Sequence, residues 1–592
     1  MTILFYSWRK FVIFSIMIHN IMPHNNDAPD VRGDTEPFMN RMYLFVFLTM
    51  TMCACSDLSA EQAIVNTVGV LLPSDAAPLS AQTLRLMSGE PRTLDATLDN
   101  YGTGGSQYIF ERLALLDEED QLIPGAADSW TSTEDGRVWT FHLRPDARWS
   151  DGRPVTAHDF EWTYKLLLDP AQANVYAFLF YEIKGARDFN QGRITDRDAV
   201  GVRALDDHTL VIEAEEPCPY LPYLTSFISA SPIPRWQFEK YGSKWTEDGY
   251  CVSNFAFKLD EWTTGRRQVF VLDPNYTGRY RARLEKVIIE FITGTSVGIF
   301  PYENNEVDMA AVTPADLPRV QSDAALRTEM YTWPHQSTGY LLFQTKKPPF
   351  DNRKVRQALA HAIDRDVLCR VVMQGLATPA YSMLPLNFPG YNGDRFKALQ
   401  VFDPAQARRL LAEAGYPNGR GFPKTELWIS GNAQTTRRIT EAIQGMLKTH
   451  LNINVNITTL DGTSYMSYLY QHRIPFGLSG FQSDYPDPHN LLSMVWHSQP
   501  VGYGRHDWVS PSFDTLLEQA DTEIDPDRRL ELYAQAEQIL VEEAGGVFLY
   551  HGVKAELRKP WIKGIPRIST GHQPFWTNYI THTRVYIGNN RQ

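Results

Sequence analysis

Residues 137–170 read "RVWTFHLRPDARWSDGRPVTAHDFEWTYKLLLDP" and contain the signals of a strand, a turn and a helix in succession. Apolar side chains at Trp139, Phe141 and Leu143 alternate with polar ones, which is the period of a half-buried strand. Ser150-Asp151-Gly152 then supplies residues that favour a tight turn. The stretch therefore predicts that a strand of a sheet is followed closely by a helix.

The helix is marked at both of its ends. Thr156 and Asp159 have capping-box spacing, and Pro170 closes the segment. Between them, one face of the predicted helix is apolar, formed by Phe160, Tyr164 and Leu167. We therefore expect a helix that packs this face on the preceding sheet.

The same pattern recurs along the chain without an internal repeat. Helices are predicted over 351–368, 403–419 (Asp403 as N-cap, Pro404 in the first turn, Gly415 near the end) and 525–545. Strand patterns lie between and before them, among others "HTLVIEA" (208–214), "QVFVLD" (268–273), "KVIIEFI" (286–292) and "INVNITTL" (453–460). The fold class is α/β or α+β with mixed sheets.

Composition indicates a large globular protein. The chain has 592 residues, 43% hydrophobic and 12% aromatic, which is enough for two or more cores. Its formal net charge is −13, and no basic cluster interleaved with aromatics occurs, so a nucleic-acid partner is not expected.

The N-terminal region carries a predicted export signal. Residues 39–55 combine a short positive segment with an apolar run of about ten residues, too short to span a bilayer. The run ends in Met52-Cys53-Ala54-Cys55, which resembles a bacterial lipobox with Cys55 as the lipidated residue. Residues 1–38 carry a separate apolar run, and we interpret them as an over-extended N-terminus, with a membrane anchor as the alternative. Residues 56–75 would then be a linker.

No catalytic or metal-binding motif stands out. Cys218, Cys251 and Cys369 remain after the signal, an odd number without metal-ligand spacing, and we expect free thiols, with a Cys218–Cys251 bridge as the alternative. The fifteen histidines are scattered singly, and Walker and dinucleotide motifs are missing from the sequence. We expect no enzyme activity, no metal and no cofactor.

A carboxylate lies among aromatics in "GFQSDYPDPHNLL", residues 480–492. Asp484 stands between Phe481 and Tyr485, with Asp487 just behind it. One interpretation is a turn whose Asp side chains bond nearby backbone amides. The other is a counter-ion for a cationic ligand, since the surrounding rings exclude water and strengthen its field.

Six motifs in register resemble one bacterial family. They are "FHLRPDARWSDGRPVTAHDFEWTYKLLLDP" (141–170), "YENNEVDMAAVTPADLP" (302–318), "LLFQTKKPPFDNRKVRQALAHAIDRDVL" (341–368), "DPAQARRLLAEAGYPNG" (403–419), residues 480–492 and "AELRKPWIKGI" (555–565). Together they are similar to the oligopeptide- and dipeptide-binding proteins of ABC importers, extracellular solute-binding family 5. The likeness runs from about residue 76 to the C-terminus.

The resemblance implies a two-lobed clamshell of the periplasmic-binding-protein type, with mixed sheets and a hinge between the lobes. Lobe I would comprise a core of residues 76–117, 239–336 and 554–592, with an inserted subdomain at 118–238. Lobe II would be residues 337–553. The chain would cross between the lobes near 334–340 and 549–555, and two crossings allow hinge closure around a ligand.

The resemblance also implies the site. In similar proteins an acid at the position of Asp484 pairs with the α-ammonium of a peptide, so the counter-ion interpretation is favoured here. Further expected ligand-binding residues are Phe481, Gln482, Tyr485, Tyr176, Asn100, Tyr101 and Gly102. The implied partners are small peptides and the permease and ATPase subunits of an importer. A lipid anchor would hold a monomer at the outer face of a membrane.

Some positions depart from that pattern. Leu478 and Thr436 stand where similar proteins have an Arg and a His for the ligand carboxylate, and Ser337 and Gln482 replace a cysteine pair. Alternatives within the same fold are a nickel chelate, haem, a sugar or an antibiotic as ligand. A secreted hydrolase is the alternative outside the binding class.

Overall fold

A computed structural model describes residues 63–98, 104–292, 297–498, 507–566 and 581–590. The predicted signal and Cys55 lie outside these ranges. The strands are β1 (Thr83–Ser88), β2 (Ala114–Leu116), β3 (Leu122–Pro124), β4 (Ala127–Ser132), β5 (Val138–Leu143), β6 (Val202–Asp206), β7 (Thr209–Glu213), β8 (Phe257–Thr263), β9 (Arg267–Leu272), β10 (Lys286–Phe291), β11 (Met309–Ala311), β12 (Met330–Phe343), β13 (Ala377–Pro379), β14 (Thr425–Ser430), β15 (Val455–Leu460), β16 (Phe476–Gln482), β17 (Val547–Arg558), β18 (Ile562–Lys563) and β19 (Tyr586–Ile587).

The helices lie before, between and after these strands. They are α1 (Ser106–Ile109), α2 (Ala157–Leu167), α3 (Ala186–Asn190), α4 (Leu221–Ser226), α5 (Arg235–Tyr241), α6 (Phe300–Glu303), α7 (Leu317–Ser322), α8 (Ala324–Glu329), α9 (Arg353–Ala362), α10 (Arg365–Val367), α11 (Gly393–Gln400), α12 (Pro404–Glu413), α13 (Gln434–Leu451), α14 (Gly462–Tyr470), α15 (Pro488–Leu491), α16 (Ser493–Trp496), α17 (Pro511–Thr522), α18 (Pro526–Glu542) and α19 (Thr581–Arg584).

Three larger sheets organise these elements. One has the order β1-β10-β9-β8, with β1 parallel to β10 and the other pairs antiparallel. A second, antiparallel sheet has the order β4-β5-β7-β6. The third is seven-stranded, with the order β11-β17-β12-β16-β14-β15 and β13 paired to β17. The sheets are therefore mixed, as predicted, whereas the lobe boundaries stay a prediction.

The strand, turn and helix of residues 137–170 form as the sequence indicates. Phe141 and Leu143 are buried on β5, and Phe160, Tyr164 and Leu167 bury the inner face of α2 in the same core cluster. Asp159 closes the capping box by accepting from the backbone N–H of Thr156 at 2.8 Å. Because the cap and the apolar face agree, this unit follows from local sequence alone.

The predicted helix over 351–368 is instead interrupted. α9 ends at Ala362, Ile363 is extended (φ −102°, ψ 117°), and α10 begins at Arg365. The backbone carbonyls at this break accept hydrogen bonds from the fully buried guanidinium of Arg365, which donates to Ala360 and Ile363 at 3.0 and 3.3 Å. The continuous helix is therefore wrong, because a buried side chain satisfies the helix end.

Two long strands, β12 and β17, are neighbours in the seven-stranded sheet. Residues 330–334 pair with 553–557, and residues 338–341 pair with 547–551, but the register shifts between Pro334 and Thr338. The interrupted ladder coincides with the segments where the chain is predicted to cross between lobes. A break in paired strands is a place where backbone angles can change without unpacking a core.

Candidate ligand-binding cleft

Asp484 follows the last residue of β16 and is held from two directions. The N–H of the preceding Ser483 donates to the carbonyl of Gln336 at 2.9 Å, which fixes the loop to β12. The Asp484 N–H donates to Oδ1 of Asn490 at 2.8 Å, and Nδ2 of Asn490 donates to Oδ2 of Asp484 at 3.1 Å. Asn490 is fully buried in α15, so the partly buried carboxylate has a defined position.

Asp487 has a different role from Asp484. Its Oδ1 accepts from the N–H of His489 at 2.9 Å and caps α15, and both of its oxygens accept from Arg529 at 2.6 and 2.8 Å. Burial acts to raise the pKa of Asp487, but the field and hydrogen bonds of Arg529 outweigh it, so the pKa is lowered. The structural interpretation of this acidic stretch therefore applies to Asp487.

The aromatic residues beside Asp484 are buried. Phe481 is 9% exposed and lies in the same core cluster as Tyr340 and Trp496. Tyr485 is 1% exposed, and its hydroxyl is 2.7 Å from Nδ1 of His489. Both rings therefore belong to buried core clusters, while contact of either ring with a ligand stays a prediction.

A stack of rings joins this loop to the inserted segment predicted at 118–238. The Tyr220 ring lies 4.1 Å from that of His489, nearly parallel at 22°, and Tyr220 is also stacked with Tyr485 at 6.4 Å. The Arg529 guanidinium lies 5.2 Å over Tyr220. Nε2 of His489 is 4.0 Å from Glu182, and burial lowers the pKa of this histidine. The loop that carries Asp484 is thus in contact with residues predicted to belong to lobe I.

Gln336 makes a second junction at the same place. Its Nε2 donates to Oδ2 of Asp120 at 2.6 Å, and its Oε1 accepts from Oγ of Ser483 at 2.8 Å. Asp120, Gln336 and Ser483 are all buried. The side chain therefore connects a turn before β3, the interrupted part of β12 and the residue next to Asp484.

The other residues predicted to bind ligand differ in their exposure and in whether the structure describes them. Gln482 is exposed and lies opposite Ser337 in the β12–β16 pairing. Tyr176 is 5% exposed and packs on Phe178 and Phe227 at centroid distances of 6.0 and 5.9 Å. Asn100, Tyr101 and Gly102 lie outside the described residues, so their role stays a prediction.

The structure describes the chain again from Gly104 onward, and Gly105 lies close to the first sheet. A Cβ at Gly105 would lie 2.2 Å from the Phe270 ring, so no larger residue fits there without movement. Glycine at this position is therefore required by packing on the first sheet.

Sequence reasoning missed Tyr220, His489 and Gln336 as members of the site. Tyr220 and His489 are separated by more than 250 positions in the sequence, and each alone has an ordinary local context. Gln336 lies in the predicted crossing segment, which was the one signal that could have identified it.

Further predictions concern the cysteines, metal binding and membrane-spanning helices. Cys218, Cys251 and Cys369 are free thiols, as expected. Within the described ranges, no group of three or more His, Cys, Asp or Glu side chains could hold a metal ion. No helix among those residues combines the length and apolarity needed to cross a membrane.

Comparison with known proteins gives consistent matches. A family model described as "Bacterial extracellular solute-binding proteins, family 5 Middle" matches residues 121–503. The periplasmic oligopeptide-binding protein OppA of Salmonella typhimurium is 33% identical over 481 residues, which cover 80% of this chain and 87% of that protein.

Solved structures agree with the sequence matches. The Escherichia coli murein tripeptide binding protein MppA is similar with a TM-score of 0.72 and 28% identity, covering 86% of this chain and 99% of that one. Haemophilus influenzae OppA, solved in complex with the peptide RPPGFSPFR, gives a TM-score of 0.70 and 26% identity over the same shares. The neighbours share the two-lobed clamshell fold.

Proposed function

The chain belongs to the bacterial extracellular solute-binding proteins of family 5, and from that premise we propose that it captures peptides in a closing cleft and delivers them to an ABC importer. The observation that carries the proposal is Asp484. Its carboxylate is fixed by a buried amide, next to buried rings, where the loop meets the interrupted strand β12. A carboxylate in such a site is suited to the ammonium group of a peptide.

The backbone of a peptide supplies the rest of the affinity in this proposal. An extended peptide forms main-chain hydrogen bonds irrespective of its side chains, so one protein can bind many sequences. The solved complex of the Haemophilus influenzae relative with a nine-residue peptide supports this ligand class. We further propose that the protein binds its ligand without altering it, because the family comprises binding proteins.

The test is incubation of purified protein with a pool of synthetic peptides of two to six residues. The protein is first unfolded and refolded to remove co-purified ligand. We expect mass spectrometry to show a retained subset and an intact pool. A shortened pool would indicate a hydrolase, and a pool from which nothing is retained would exclude peptides as the ligand class.

We also propose an extracytoplasmic location, with Cys55 as a lipid anchor. The relatives named above are periplasmic, and the lipobox-like Ala54-Cys55 pair supports a lipidated N-terminus. Metabolic palmitate labelling should mark the wild type and not Cys55→Ser. Equal labelling of the two proteins would contradict the anchor and leave the peptide proposal untouched.

A further inference from the structure

Lys554 and Trp333 stand opposite each other where β12 and β17 pair. Directly opposed residues of an antiparallel pair project from the same face of a sheet, with Cβ atoms about 5 Å apart. The side chains of Lys554 and Trp333 therefore lie in the same small region of the sheet, one residue before the register shift that begins at Pro334.

Lys554 is a partly buried cation without a described counter-ion. No hydrogen bond or ion pair joins its ammonium to any residue in the described part of the chain, and burial lowers its pKa. A lysine in that condition destabilises a folded protein unless something else compensates its charge. Such an arrangement is typical of a group whose partner is a ligand.

Trp333 supplies a second hydrogen-bond donor that has no partner among the described residues. Its side chain is 5% exposed, and its Nε1–H has no acceptor among the described residues. The Arg558 guanidinium lies 5.5 Å over the ring and holds it in place. Arg558 itself is committed to Glu556, at 2.7 Å between Nε and Oε1. Arg558 and Glu556 are thus paired with each other, and the Lys554 ammonium and the Trp333 Nε1–H are available to bind a ligand.

The position of Lys554 relative to Asp484 follows from the strand order of the seven-stranded sheet. Glu556 lies two residues along β17 from Lys554, and its charge adds to the rise that burial causes in the pKa of Tyr108. Asp484 follows β16, on the other side of β12 from β17. Strand spacing of about 4.8 Å puts the β16 and β17 backbones roughly 10 Å apart.

We propose that Lys554 and Trp333 Nε1 form a carboxylate subsite of the cleft, which binds a carboxylate of the peptide whose ammonium group Asp484 holds. The inference rests on the proposed function and names the second charge of its ligand. An ammonium group and an indole N–H offer only donors, so the matching ligand group is an anionic oxygen. The carboxylate comes from the C-terminus of the peptide or from an acidic side chain.

Retention of three peptide pools by four proteins tests the subsite. The pools contain the same peptides of two to six residues with free ends, with C-terminal amides, or with N-terminal acetyl groups. The proteins are the wild type, Lys554→Met, Trp333→Phe and the control Lys424→Met, which removes an exposed lysine of lobe II. Trp333→Phe keeps a ring beneath Arg558 and removes only the donor.

We expect Lys554→Met to retain the free pool about 10- to 100-fold less well, and Trp333→Phe about tenfold less well. Lys424→Met should match the wild type. Amidation should weaken wild-type retention about as much as Lys554→Met does, and should have little further effect on that variant. If amidation has no effect but Lys554→Met stops retaining acidic peptides, the carboxylate is that of a side chain.

Two results would overturn the subsite, and they differ from failure of the function. Retention of all pools by Lys554→Met at wild-type levels would exclude it while leaving peptide binding in place. A wild type that retains no pool would reject the proposed function and the subsite together. Misfolding is checked by thermal denaturation: ligand-free Lys554→Met should melt no lower than the wild type, because it loses an unpaired cation.

Discussion

At the scale of single residues, the pairing of each charged side chain distinguishes a structural role from a role in ligand binding. Asp487 and Arg529 neutralise each other through two short hydrogen bonds, so neither has charge to offer a ligand. Asp484 accepts a hydrogen bond from the neutral amide of Asn490, whereas Lys554 has no counter-ion among the described residues. A partly buried cation without a counter-ion favours an anionic ligand, because the ligand replaces the stabilisation that the charge lost on burial.

Asp484→Ala should weaken peptide binding by about 2–5 kcal/mol, roughly 30- to several-thousand-fold, because the bound ammonium would lose its counter-ion in a site shielded from water. Asp484→Asn should lose nearly as much. N-terminal acetylation should impair the wild type similarly and matter little in the variants, since coupled changes do not add. Calorimetry measures these combinations, with Asp366→Asn, an exposed acid, as the control. Equal binding of free and acetylated peptides by the wild type would reduce Asp484 to a turn residue.

Glu537 makes a prediction about pH. Its Oε1 accepts from the N–H groups of Met383 and Leu384 at 2.9 Å each, yet burial raises the pKa of Glu537 to about 8. A raised folded-state pKa contributes stability that is full below the ordinary value of about 4.5 and is lost as the pH rises through about 8. Glu537→Gln, which stays neutral, should therefore match the wild type near pH 5.

At pH 9 the Glu537→Gln variant should be more stable than the wild type by about 2–4 kcal/mol. Urea unfolding at several pH values measures the difference. Glu531→Gln on the same helix is the control, because its side chain is 60% exposed. A difference between Glu537→Gln and the wild type that stays constant from pH 5 to pH 9 would show that the buried carboxyl does not titrate in this range.

At the scale of elements, the sequence predicts best where local and tertiary signals agree. α12 begins after Asp403, which accepts from the N–H groups of Ala405 and Gln406, and α18 begins after the cap Asp525, as expected from the pattern. The 351–368 segment fails for the opposite reason. Its apolar period continues through the break, and Arg365 is held there by further acceptors, the carbonyls of Ala380, Gln400 and Phe548, which come from distant segments that local sequence does not reveal.

The candidate-site residues also differ in whether local sequence or tertiary contacts define their roles. The acid and the neighbouring aromatics of residues 480–492 are contiguous in sequence and could be identified. Tyr220, Gln336 and Trp333 take their roles from partners on other strands and loops, so only the fold brings them to the site.

Arg365 tests the account of the broken helix. Besides the end of α9, its guanidinium donates to the carbonyls of Phe548 and Gln400, both at 2.7 Å. Arg365→Lys should lower the free energy of unfolding by about 2–4 kcal/mol, because one ammonium cannot replace the planar fork and leaves buried carbonyls unsatisfied. Arg370→Lys, on the exposed side of the same segment, should change it by less than about 0.5 kcal/mol. Equal stability of the two variants in urea unfolding would contradict this role.

At the scale of the whole molecule, ligand binding to a two-lobed fold depends on the relative populations of its open and closed forms. Tyr220 stacks on His489 beneath Arg529, across the predicted boundary between the inserted segment and lobe II. These contacts stabilise the form in which the two parts meet. A peptide that binds the closed form better shifts the equilibrium towards it, and any contact made only on closure adds to its apparent affinity.

Small-angle scattering should therefore show a smaller radius of gyration when a retained peptide is added to ligand-free protein. Tyr220→Ala should enlarge the ligand-free particle and weaken peptide binding about 3- to 10-fold, because closure loses a ring stack and a cation–π contact while the ligand contacts remain. The matched control is Tyr250→Ala. It removes an equally close stack, 4.2 Å from Tyr241, within one part of the chain, and should leave both the radius and the affinity unchanged. If wild-type protein proven empty kept its radius on binding peptide, closure would be rejected. If Tyr220→Ala behaved like Tyr250→Ala, the stack would be a packing contact with no part in closure.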